Sequence, residues 1–92
     1  MTARVRIVEV LRFLHLDDAG LLEDLRREGL FLEDEVEPQT AEDLRVAASL
    51  MAELGVNPAG VEVVLHLRHR LACLEDRMRE LLERLEEETR SR

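Results

Sequence analysis

Lysine is missing from this chain: all thirteen basic residues among its 92 are arginine. Guanidinium groups pair bidentately with carboxylates, so this composition suits specific ion pairs better than a diffuse cationic cloud. Tryptophan and tyrosine are also absent and phenylalanine occurs twice, which removes the aromatic platform on which single-stranded nucleic acid stacks. The one cysteine, Cys73, excludes an intramolecular disulfide. With no cationic, apolar leader at the start, it points to a reducing compartment, and a cytoplasmic protein is expected. Apolar runs extend only a few residues, against the ~20 needed to cross a bilayer. Ser49 and Ser91 are the only serines, and the four glycines form no phosphate loop. No nucleophile and base lie at a telling spacing, so neither catalysis nor a cofactor is expected.

The acid is unevenly placed. Residues 17 to 43 carry eleven Asp or Glu and two Arg, a balance of −9, whereas residues 1 to 16 sum to +2 and residues 44 to 92 to −1. Counterion release on a phosphate backbone requires the opposite sign. A chain of this length buries only roughly 60 to 65% of the surface its unfolded form exposes, so one small domain stabilised by association is expected.

Val5, Val8, Leu11 and Leu14 recur at spacing three with Ile7, Val10 and Phe13 beside them, the pattern of a helix buried over most of its surface. The β-branched residues leave a short strand around 3 to 8 open. Asp17 or Asp18 can cap a second helix whose Leu21, Leu22 and Leu25 face inward, with Gly29 as its left-handed stop. Residues 31 to 39, FLEDEVEPQ, read as a loop or a stunted hairpin. Thr40 then opens a third helix in a capping box with Asp43, and Leu44, Ala47, Ala48, Met51 and Leu54 form its inner stripe. The segment GVNPAG is a helix-to-helix corner: Gly55 closes one helix, Asn57 caps the next and Pro58 takes its first position.

From Pro58 only Gly60 interrupts the helical pattern until about Arg90. Such a helix is about 50 Å long and must project beyond a domain with a radius of gyration near ~13 Å. Val64, Leu67, Leu71, Leu74, Met78, Leu81 and Leu85 alternate at spacings of three and four, the 3.5-residue seam of a coiled coil. These residues are the expected dimerisation surface, and the seam alone does not set parallel or antiparallel pairing. Glu75 before Arg79, Glu80 before Arg84 and Glu86 before Arg90 can brace the helix. The expected fold is therefore all-α, with a helix-turn-helix head over residues 1–55 and a long C-terminal helix over 56–92.

The stretch ELGVNPAGVEVVLHLRHRLACLE from Glu53 to Glu75, with GLF at 29 to 31 and the helix from Thr40, resembles the MerR superfamily. Within it, the GVN-AGVEV element is most similar to HspR-type heat-shock repressors and to small chaperone modulators of the CbpM and DafA type. The resemblance implies a winged helix-turn-helix before a long dimerisation helix. DNA-binding members carry T-L-R-Y-Y-E before R-R-G-L-L, and a wing rich in Arg and Tyr. Aligned on Gly29 and Leu30, this chain has Leu21, Leu22, Glu23, Asp24, Leu25 and Arg26, so Glu23 stands where the DNA-contacting arginine belongs. The wing has become Leu32 to Glu37, and only Arg26, Arg27 and Arg45 remain to favour DNA.

The chaperone-modulator branch shares this departure and acts on J-domain co-chaperones of the DnaJ or CbpA type, with DnaK drawn in. J-domains present a basic second helix, and an acidic helix-loop surface can compete for it or clamp it. Asp17, Asp18, Glu23, Asp24, Glu33, Asp34, Glu35 and Glu37 are therefore expected to line or border a partner-binding surface. The alternative is a MerR or HspR-type transcriptional regulator, and a third reading is a coiled-coil adaptor with an inert head. His66, His69, Cys73 and Asp76 share one face of the last helix, but ligands spread along one helix rarely converge on a metal, and no metal site is expected.

Overall fold

The computed structural model describes residues 3–17 and 20–91. Asp18, expected both as a cap and as a partner-binding acid, lies outside them. The elements run β1 (Val5–Arg6), α1 (Ile7–Phe13), α2 (Leu21–Arg27), β2 (Glu35–Val36), α3 (Pro38–Leu54) and α4 (Pro58–Arg90). The protein is thus of the all-α class, and among the described residues one two-residue antiparallel ladder sets Val5 opposite Val36 and Arg6 opposite Glu35.

Strand and helix both occur in the first segment. Ile7 opens α1 while its N–H still donates to the Asp34 carbonyl at 2.9 Å, so the ladder hands over directly to the helix. The expectation that α1 is buried over most of its surface is corrected. Ile7 and Leu11, one turn apart, are buried, whereas Val8 is 44% and Phe13 83% exposed. Among the described residues, the seven-residue helix packs chiefly against α3 and β1, which leaves Phe13 uncovered.

Capping differs from expectation at two helices. At α2 the cap is Gly20, left-handed at φ +67, with no side-chain cap bond, and Asp17 lies three residues too early to reach the first turn. At α3 the helix begins at Pro38 with Glu37 extended before it, again without a side-chain cap bond. Proline at the first position has its φ already set and lacks the N–H that would go unpaired, which moves the start two residues upstream of Thr40. The Thr40–Asp43 capping box therefore does not form, and the Asp43 carboxylate turns to His69 at 3.0 Å instead.

Leu44, Ala47 and Ala48 are buried on α3 as expected, together with Val46, but Leu54 is 72% exposed because the helix ends there and the chain turns away. The corner follows its sequence: Gly55 is left-handed at φ +68, and the Asn57 Oδ1 accepts from the Gly60 N–H at 2.8 Å. Val61 and Leu65 then join Ile7, Leu25 and Leu44 in a single core, so the first two turns of α4 complete the head.

Beyond Leu65 the whole of α4 is exposed, and the molecule is 61 Å long. The helix is 33 residues without a break and does not fold back on the head. At 100° per residue, the line through Leu67, Leu71, Leu74, Met78, Leu81 and Leu85 lies about 140° around the helix from Val61 and Leu65. These six apolar side chains point away from their own core and are 54–59% exposed.

Candidate protein-interaction surface

The loop between α2 and β2 is held by two arginines. Arg26, on the last turn of α2, donates through Nε to the Phe31 carbonyl at 2.8 Å. Its Nη2 donates to the Glu33 carbonyl and to Asp34 Oδ1, both at 3.3 Å. Arg4, just before β1, donates from Nη2 to Glu33 Oε2 at 3.0 Å and to the Glu35 carbonyl. Phe31 adopts φ +54, an uncommon conformation for a non-glycine residue, and the Arg26 bond to its carbonyl secures it there. One planar guanidinium reaching three acceptors fixes a loop that has little regular structure of its own.

These contacts divide the expected partner-binding acids. Glu33 is paired with Arg4, Asp34 with Arg26, and Asp24 with Arg27 at 3.0 Å. Among the described residues, Asp17, Glu23, Glu35 and Glu37 form no ion pair and all four are exposed. Glu33, Asp34, Glu35 and Glu37 are gathered along one edge by the loop and β2. Glu23 and Asp24 sit on α2, and Asp17 lies in the preceding turn with no polar contact to the loop acids.

The arginines that could have favoured nucleic acid are engaged as well. Besides Arg26 and Arg27, Arg45 donates from Nε to both carboxylate oxygens of Glu42 at 3.0 Å, and from Nη2 to Oε1 at 2.6 Å. That hydrogen-bonded fork holds the Glu42 carboxyl below its ordinary range, and the positive charges of Arg45 and Arg68 add to the effect. Exposed pairs of this kind contribute little stability, so their main effect here is on which charges face outward.

On α4, Asp76 pairs with Arg79 at 3.1 Å and Glu86 with Arg90 at 3.9 Å, so the expected Glu75–Arg79 brace is replaced by a contact three residues apart. The His66, His69, Cys73 and Asp76 stripe does not converge, since His69 is turned to Asp43 and Asp76 to Arg79. Reasoning from sequence missed Arg4 as a clamp. Its partners lie 29 and 31 residues away, and nothing local marks a contact of that range. The chain matches no protein-family model, no curated protein and no solved structure. Among the described residues, no helix is long and apolar enough to cross a membrane.

Proposed function

We propose that the protein is a chaperone modulator. In this reading two copies join along α4, and the acidic side of the head binds a J-domain co-chaperone of the DnaJ or CbpA type, thereby regulating or assembling the DnaK system. The scaffold is MerR-like, with α2 standing for the recognition helix and residues 31 to 37 for the wing. The observation that carries the reading is how the head's charges are committed. Arg26, Arg27 and Arg45 are all held by the protein's own oxygens, while Glu23, Glu35 and Glu37 face outward with no ion pair among the described residues. A duplex approaching this side would meet carboxylates, with the cations already occupied. A basic helix would meet complementary charge, which raises the association rate and excludes wrong partners.

The resemblance in the Glu53–Glu75 stretch supplies the choice of J-domain, and the exposed seam of α4 supports self-association. The experiment is a titration of the full chain with the J-domain of a co-chaperone from the same source, beside a fluorescent duplex at low salt. Saturable J-domain binding without duplex binding is the expected result. Duplex binding that weakens steeply with salt would replace this reading with a MerR or HspR-type regulator. Binding of neither would leave a coiled-coil adaptor.

A further inference from the structure

Beside the acidic edge lies an open cleft. It occupies about 360 Å³ between the end of α2, the loop and the first turn of α3, with apolar surface from Phe31, Leu32 and Val36 and a rim from Arg4, Glu33 and Glu37. Leu32 is 63% exposed, although it follows Phe31, which packs on the core. The walls are set in advance, since Arg26 holds the Phe31 and Glu33 carbonyls and the Ile7 N–H holds that of Asp34. A cleft whose walls are already fixed loses little conformational freedom on filling. Val36 points inward from an extended segment, so Glu35 and Glu37 flank it on the outer side, about 7 Å apart along the strand.

We infer that this cleft docks a basic amphipathic helix of a protein partner. One Leu, Ile or Met side chain lodges against Phe31, Leu32 and Val36, and two Lys or Arg one turn apart reach Glu35 and Glu37. The inference rests on the proposed function for the kind of partner and adds where it sits and what anchors it. Charge complementarity selects the occupant. Arg4 is satisfied by Glu33 and by the Glu35 carbonyl, and Arg6, opposite Glu35 in the ladder, pairs with Glu9 at 3.8 Å. The outward carboxylates of Glu35 and Glu37 are left for the partner. Residues one helical turn apart have Cβ atoms about 5–6 Å apart, which suits two carboxylates at this spacing. An added strand fits less well, because β2 has two residues and Pro38 soon after it has no N–H to donate.

The test uses the isotopically labelled full chain, followed by amide NMR, with two synthetic helical peptides. Both carry Lys one turn to either side of a central residue, which is Leu in one and Ser in the other. The Leu peptide should shift the amides of residues 31 to 37 and bind about tenfold more tightly than the Ser peptide, the effect of burying one aliphatic side chain. Leu32→Ser, at an exposed position that does not threaten folding, should abolish that preference. The double change Glu35→Gln with Glu37→Gln should weaken both peptides several-fold and flatten their salt dependence.

Equal affinity for the two peptides, or shifts confined to Leu67 through Leu85, would overturn the inference. The J-domain titration separates the two claims. If the J-domain fails to bind while the Leu peptide fills the cleft, the proposed function falls and the cleft stands. If the J-domain binds unchanged to Leu32→Ser, the cleft is wrong and the proposed function stands.

Discussion

Replacing Leu74 by Asp tests whether a second copy covers α4. Leu74 lies at the middle of the seam and is 58% exposed in the single chain. Full burial of a leucine is worth about 1.5–3 kcal/mol, so covering the remaining half or so is worth about 1–1.5 kcal/mol in each copy. The aspartate removes that contribution twice and places two carboxylates in an apolar seam, where the penalty for an unpaired charge is several kcal/mol per ion. The total exceeds about 5 kcal/mol, a weakening of more than roughly a thousandfold in the dimer constant. Sedimentation velocity across a concentration series should give a dimer for the wild type and a monomer for Leu74→Asp. Far-ultraviolet circular dichroism should also fall, because the distal turns of a solitary helix fray without a partner. Glu83→Lys, an exposed change off the seam, serves as the control and should stay dimeric. A Leu74→Asp protein that remains a dimer, or a wild type that is monomeric throughout the series, would refute this reasoning.

Arg26→Ala should destabilise the fold by about 1–2 kcal/mol, because a charge-assisted bond to a partly buried carbonyl is lost with its two weaker companions. Arg26→Lys should recover only part of this, and an unchanged urea midpoint for Arg26→Ala would mean the loop is held by something else. Gly60→Ala should not yield the gain of about 1 kcal/mol usual for glycine to alanine within a helix, because an overpacking cost of about 1–3 kcal/mol offsets it. The added Cβ would lie 2.8 Å from Val56 Cγ1 and 3.2 Å from the capping Asn57 Oδ1, and a gain in thermal midpoint would contradict that geometry. The Glu42 carboxyl should titrate below the ordinary carboxylate range by NMR and return to it in Arg45→Ala, with no change on that substitution counting against the hydrogen-bonded pair. Since the folded value is the depressed one, this pair stabilises above the unfolded carboxyl range and its contribution is lost as the pH falls through the folded value.

The C-terminal half of the fold was legible because its determinants are local. Gly55, Asn57 and Pro58 act within a few residues of one another, and the apolar spacing from Val64 to Leu85 repeats over several turns. The head was legible only in outline. Its core positions at Leu21, Leu25, Leu44 and Ala47 follow from helical period, but the boundary at Ile7 depends on a ladder to residues 34–36 that no local pattern encodes. Phe13 departs from expectation for a related reason: apolar character predicts burial only where another element supplies the cover, and among the described residues none covers Phe13. Thr40 and Asp43 match a capping box by type, yet Pro38 sets the helix start earlier and frees Asp43 for a contact 26 residues away. At the site, exposure of the acids was legible from their type. Which of them are neutralised was not, because that depends on where Arg4 and Arg26 reach.

The absence of lysine and the excess of acid therefore belong to one arrangement. An ammonium group placed at Arg26 would be a single point charge, unable to reach the Phe31 carbonyl, the Glu33 carbonyl and the Asp34 carboxylate together, whereas the planar guanidinium meets all three. Arg4 and Arg45 likewise donate to oxygens of the protein itself, Arg4 to Glu33 and the Glu35 carbonyl and Arg45 to Glu42. The charge that the proposed partner would meet is therefore not the full balance of residues 17 to 43 but a few outward carboxylates beside an apolar cleft. A few exposed charges steer an encounter and set its selectivity, and they are screened by salt. On the proposed function most of the affinity would then come from apolar contact, and the cleft inferred beside the acidic edge would provide it through Leu32 and the floor beneath it.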